Sequence, residues 1–205
     1  MATIPYLALG DSYTIGEGVA REQTWPAQLT QALQAEGYPV MLEKVIATTG
    51  WTTDELQKAI REANVQPDYQ LVSLLIGVNN QYRGYEEAVY RHEFEALIQQ
   101  AIFFARKKTE GVFVLSIPDW GVTQFAEGKD RKQIAEEIDK YNSIAREICE
   151  RQGVRFYNIT PSTRTHADWV VDDKLHPDSK MYSLWVAEIL PHVVKQLSLL
   201  KKLYA

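Results

Sequence analysis

Cysteine is almost absent: Cys149 stands alone among 205 residues. That excludes an intrachain disulfide and a thiolate metal cluster. Excess positive charge is missing too, with a net charge of −5. Nucleic acid and anionic membrane surfaces are therefore disfavoured as main partners. The largest basic cluster, Arg106-Lys107-Lys108, reads as a complement to the dipole at a helix end. No apolar run is long enough to span a bilayer, so membrane insertion is not expected. The opening MATIPYLALGDS lacks the basic stretch and apolar run of a secretory signal. A cytoplasmic protein is expected, or a secreted or periplasmic one if a leader has been trimmed.

Cofactor signatures are missing as well. His92-Glu93 is not followed by a second histidine at zinc-protease spacing. Gly16-Glu17-Gly18 is followed by Arg21 where a dinucleotide fingerprint needs glycine or alanine, and no phosphate-binding Gly-Lys-Ser/Thr occurs. No cofactor and no metal are expected.

What is present is a regular alternation. The hydrophobic share of 45% and charged share of 24% are those of an ordinary globular chain. Short apolar runs at 4–9, 40–47, 71–76, 112–117 and 154–159 read as buried strands. Between and after them, apolar residues at helical spacing predict helices over 24–36, 52–64, 85–108, 130–152 and 178–200. Thr52 with Glu55 three residues later marks one helix start. Continuous apolar strands alternating with one-sided helices imply a parallel sheet covered on both faces. The expectation is an α/β/α sandwich of five parallel strands in the order 2-1-3-4-5, one domain over residues 1–205.

The unusual residues fall where ligands bind in such sheets, beyond the carboxyl ends of the strands. Asp11-Ser12 follows the first strand, Gly50-Trp51 the second, Gly77-Val78-Asn79-Asn80 the third and Asp119-Trp120 the fourth. Asp172-Asp173-Lys174-Leu175-His176 precedes the last helix. A serine hydroxyl becomes a nucleophile when a base takes its proton, and an imidazole, which titrates near neutrality, suits that task. Asp173, three residues before His176, can orient the ring and stabilise its charged form. Asp172 competes for that role at a less suitable spacing. Pro177 suits the first position of the last helix, holding His176 at its entrance. The charge developing on a substrate carbonyl needs neutral donors. The Ser12 and Gly50 backbone N–H groups and the Asn79 amide are candidates. Glycine at 50 would leave room for substrate. Asn80 is the better turn residue of the 79–80 pair.

Each residue has a plainer reading. Ser12 or Asp11 could simply cap a helix. Trp51, Trp120 and Trp169 near the rim could pack under loops or line a pocket, whereas Trp25, Trp185 and Cys149 belong to the core. His92, His166 and His192 are read as surface residues.

These residues also carry a resemblance. Gly10-Asp11-Ser12-Tyr13-Thr14, Gly50, Gly77-Val78-Asn79-Asn80 and Asp173-Lys174-Leu175-His176, in that order, resemble the motif blocks of the GDSL, or SGNH, hydrolases. Tyr13 replaces the leucine of the name motif, and Asn80 stands where many members have aspartate. The resemblance implies a flavodoxin-like α/β/α fold and a catalytic set of Ser12, Gly50, Asn79 and His176. It implies ester hydrolysis, with either a small acyl or lysophospholipid-type ester or an acetylated carbohydrate as substrate. The rival of another class is a binding module that kept the fold without turnover. Asp11, Trp51, Asn80 and Trp120 are expected to support the site or line it.

Overall fold

A computed structural model describes residues 3–204, with side chains through Leu200. The terminal residues 1, 2 and 205 of the expected domain lie outside the described residues. Five strands, β1 (Ile4–Gly10), β2 (Val40–Ala47), β3 (Leu71–Leu75), β4 (Val112–Leu115) and β5 (Arg155–Tyr157), form one sheet in the order β2-β1-β3-β4-β5. Every pairing is parallel. The expected order is the observed one. The central strands β1, β3 and β4 are almost wholly buried, as required of strands covered on both faces.

Among the described residues eight α-helices surround the sheet: α1 (Ser12–Ile15), α2 (Trp25–Ala35), α3 (Thr53–Glu62), α4 (Val78–Tyr82), α5 (Glu87–Phe104), α6 (Arg131–Gln152), α7 (Thr160–Thr165) and α8 (Ser179–Tyr204). The five long ones were legible from their periodicity. Helices α1, α4 and α7 were not, because four to six residues hold too little of a 3.6-residue period to register. Trp25, Trp185 and Cys149 are fully buried, as expected. So is Tyr6, whose hydroxyl bonds Ser73 Oγ on the adjacent strand at 2.8 Å.

Two helix ends depart from expectation. Helix α5 stops at Phe104 rather than 108, and Arg106 and Lys107 take left-handed φ values of +55° and +61°. The basic cluster thus lies in the turn beyond the helix, with Arg106 Nη2 donating to the Asp68 carbonyl at 3.0 Å. The reading of it as a last-turn dipole complement is corrected accordingly. At the other end, α8 starts at Ser179, and Pro177 is not its first residue. Asp178 Oδ1 caps the helix, accepting from Lys180 N and Met181 N. Pro177 instead forms an antiparallel bridge with Val170. A carboxylate satisfies the free N–H groups of a first turn, which a proline ring cannot do.

Candidate active site

The first βα turn is tight. A Cβ on Gly10 would lie 2.2 Å from Thr14 Oγ1 and 2.5 Å from the Leu75 carbonyl oxygen, so only glycine lets α1 fold back against β1 and β3. Asp11 caps α1, its Oδ1 accepting from Tyr13 N at 3.0 Å. Ser12 is therefore the first helical residue and not the cap. Asp11 is completely buried, and its Oδ2 has no hydrogen-bond partner among the described residues. Burial pushes its carboxyl up to about 7, against the opposing pull of the Tyr13 N–H.

Gly50 lies in the loop after β2 with a left-handed φ of +85°. An added Cβ would meet only Arg83 Nη2, at 3.6 Å. The backbone conformation by itself demands glycine here. Asn79, on the one-turn α4, donates from Nδ2 to the Trp51 carbonyl at 3.0 Å. An amide carries two N–H donors, so one remains for a ligand. Among the described residues the Ser12 and Gly50 N–H groups have no acceptor in the turns and side-chain bonds around them.

The structure separates Asn80 from Asn79. Asn80 is no turn residue: it is buried in α4, its Oδ1 accepting from Thr53 N at 3.1 Å and its Nδ2 donating to Thr53 Oγ1 at 2.7 Å. It ties α4 to the first turn of α3 and does not line the cleft. Nor does the Trp51 ring, which packs against the core while its carbonyl holds Asn79. Both were expected as supporting or lining residues, and both support from behind.

Asp173 and His176 meet in the loop before α8. Asp173 Oδ2 contacts His176 Nδ1 at 2.5 Å, and its Oδ1 accepts from Leu175 N at 2.8 Å and His176 N at 2.9 Å. Partial burial alone would raise the Asp173 carboxyl, but the bonds from His176 and Leu175 bring it below its usual range. The loop is pinned on its far side, where Val171 N donates to the His176 carbonyl at 2.8 Å and Asp178 N to the Trp169 carbonyl at 3.0 Å. No hydrogen bond or ion pair joins Asp172 to His176 among the described residues.

Ser12, Gly50, Asn79 and His176 come together along one cleft of about 170 Å³. Its other walls are Tyr13, Thr49, Val78, Tyr82, Trp120, Phe125 and Leu175, a mostly apolar set. Trp120 is held rigidly: Nε1 donates to Gln81 Oε1 at 2.8 Å, and Gln81 in turn reaches Glu137 Oε2 at 2.6 Å. The preceding Asp119 is buried and paired with Arg164 Nε at 2.8 Å. Tyr82 and Phe125 flank Trp120 edge-on, at centroid distances of 5.3 and 6.0 Å. Trp169 faces a small cavity behind the cleft and packs on a half-buried His166, 4.1 Å between centroids. His166 is thus a partly exposed residue that also packs. A wider open groove of about 700 Å³ runs along β5 between α6 and α8, lined by none of the expected site residues. Sequence reading missed Tyr82, Phe125 and Arg83. The first two have no motif and become visible only when the loops converge.

A parallel α/β/α sandwich with a serine, an aspartate-held histidine and free donors around one cleft at the strand ends belongs to the class of α/β/α hydrolases. The profile of the GDSL-like Lipase/Acylhydrolase family matches residues 8–184, and the chain belongs to that family. An arylesterase of Vibrio mimicus is 25% identical over 196 residues, covering 93% of this chain and 88% of that protein. A psychrotrophic esterase from Pseudoalteromonas sp., solved in a form inhibited by monoethylphosphonate, superposes with a TM-score of 0.71 at 20% identity, over 95% of this chain and 98% of that one. A catalytic mutant of an acetylxylan esterase from Geobacillus stearothermophilus gives a TM-score of 0.69 at 16% identity, over 93% and 94% of the two chains. The chain is a carboxylic ester hydrolase with the fold of these esterases.

Proposed function

We propose that the protein hydrolyses small apolar acyl esters through an acyl-enzyme on Ser12. Ser12 Oγ attacks the ester carbonyl carbon as His176 takes its proton. The carbonyl electrons move onto oxygen, and the Ser12 N–H, the Gly50 N–H and the free Asn79 amide hydrogen receive that charge. The intermediate collapses, the C–O bond to the alcohol breaks, and His176 returns the proton to the leaving oxygen. Water then attacks the acyl-Ser12 ester, with His176 again as base, and the acid and free serine are released. Asp173 holds the imidazole and stabilises its charged form.

The observation that carries this reading is the His176 Nδ1–Asp173 Oδ2 contact of 2.5 Å, with Ser12 and His176 lining the same cleft. The substrate follows from the walls. Val78, Tyr82, Trp120, Phe125 and Leu175 offer apolar contact, and a volume of about 170 Å³ is small beside drug-sized pockets. A short acyl chain or a single aromatic ring fits those limits better than a sugar, whose hydroxyls need polar partners.

The test has two arms. A fluorophosphonate probe should label wild type and not Ser12→Ala, whose fold should be intact; an unlabelled wild type would leave a binding module as the reading. A chain-length series of nitrophenyl esters beside acetylated xylan should give higher kcat/KM on the short apolar esters, and the reverse order would make carbohydrate the substrate.

A further inference from the structure

Arg83 lies outside every motif block, at the C-terminal end of α4. Its Nη2 donates to the Gly50 carbonyl at 2.6 Å. Its Nη1 lies 3.4 Å from Glu55 Oε2. Glu55 in turn accepts from Thr52 N at 2.9 Å and Thr52 Oγ1 at 3.0 Å. The guanidinium therefore bridges the Gly50 loop, the first turn of α3 and the end of α4.

The position of that bridge matters. Gly50 has no side chain to anchor it, and glycine populates both signs of φ about equally. Two tertiary bonds hold the carbonyls of the 50–51 segment: Arg83 on Gly50, and Asn79 Nδ2 on Trp51 at 3.0 Å. Both come from the α4 segment that carries the Asn79 donor. The N–H of the same Gly50–Trp51 peptide donates to the Thr48 carbonyl at a long 3.3 Å, so losing the Arg83 bond loosens that peptide, and the Gly50 Cα with it, while Asn79 stays in place. As an ion pair the bridge contributes little to stability, because the Arg83 and Glu55 side chains are 42% and 40% exposed and such pairs are weak. Its effect is geometric.

We propose that Arg83 is a positioning residue for the oxyanion hole, fixing the Gly50–Trp51 peptide and, through the Gly50 Cα, the direction of the adjoining Gly50 N–H. This rests on the acyl-enzyme reading above, in which Gly50 is a donor to the developing charge. A donor matters where charge develops in the transition state, so the loss should fall on kcat.

Arg83→Ala should lower kcat by roughly ten- to a hundredfold, the range set by misplacing or losing one donor. KM should change less than about threefold, and the melting temperature should stay within a few degrees of wild type. The rate of fluorophosphonate labelling should fall in parallel, since the phosphoryl oxygen needs the same donors. Arg83→Lys should recover part of kcat, because an ammonium can reach one of the two partners but not span both. Should Arg83→Ala fold poorly, Glu55→Gln, which leaves the arginine and removes its charged anchor, should still lower kcat without raising KM. Wild-type kcat and labelling rate in a folded Arg83→Ala, or a loss expressed only in KM, would overturn the assignment. Labelling of wild type but not Ser12→Ala would meanwhile leave the acyl-enzyme reading standing, so the two failures are distinguishable.

Discussion

Asp173 grips His176 twice, at the ring Nδ1 through Oδ2 (2.5 Å) and at the backbone N–H through Oδ1 (2.9 Å). One carboxylate thus fixes both the rotation of the imidazole and the turn that carries it. Asp173→Asn should keep an acceptor for the backbone but lose the charge facing the ring. We expect kcat to fall by roughly 10⁴-fold, the scale known for such a change in a related triad. Asp172→Asn, with no hydrogen bond to His176 among the described residues, should stay near wild type. Kinetics of the two variants on one nitrophenyl ester decide the matter: a crippled Asp172→Asn beside an active Asp173→Asn would move the orienting role by one residue.

On the proposed mechanism, Asn79→Ala should lower kcat by roughly 10²–10³-fold with little change in KM, because its second amide hydrogen would meet charge that develops only in the transition state. The same substitution removes the bond to the Trp51 carbonyl, and some loss of stability is expected with it. Steady-state kinetics read at a temperature well below the variant's melting point separate the two effects. A change confined to KM would take Asn79 out of the oxyanion hole.

Asp11 links stability to pH. Burial raises its folded-state pKa from 3.8 to about 7, so the native state holds the proton more tightly than the unfolded chain. The resulting stability is fully present below about pH 4 and is lost as pH rises through about 7. The shift corresponds to on the order of 4 kcal/mol at most. Asp11→Asn cannot ionise and keeps an acceptor for the Tyr13 N–H. Its melting temperature should therefore gain on wild type between about pH 4 and pH 8. A constant difference across that range would mean that Asp11 does not carry the linkage.

Leu175 should limit the acyl chain. Tyr13, Trp120 and Leu175 line both the catalytic cleft and the cavity of about 20 Å³ behind it, so they form the partition between the two. Leu175→Ala removes the aliphatic part of that partition, and leaves the Leu175 N–H on Asp173 Oδ1. Selectivity for hexanoyl over acetyl nitrophenyl esters should rise about tenfold or more, the scale of one or two added methylenes in an apolar pocket. An unchanged chain-length profile would put the limit elsewhere, with Phe125 and Tyr82 the next residues to vary.

Much of this molecule is written locally. Residues 40–47 and 71–76 are apolar runs bounded by turn residues, and the helices near 24–36 and 130–152 repeat apolar residues at the helical period. Patterns of that range survive folding because they are what folding buries, so the elements and their layers followed from the sequence, while the strand order followed from the usual doubly wound arrangement of such an alternation. The positions of Ser12, Asn79 and Asp173-His176 were legible for a related reason: polar residues stand directly after apolar strands, at the edge where a parallel sheet exposes its strand ends. Other features depend on residues far apart in the chain. Arg83 reaches Gly50 across 33 residues, and Asn80 reaches Thr53 across 27. Trp120 stands in the cleft wall with its indole held by Gln81, distant in the chain. Pro177 lies outside the helix and pairs with Val170 in an antiparallel bridge. Each of these choices is a competition between partners for one donor, acceptor or surface. The sequence determined which groups compete; packing in three dimensions decided which ones meet, because only there do the distances exist.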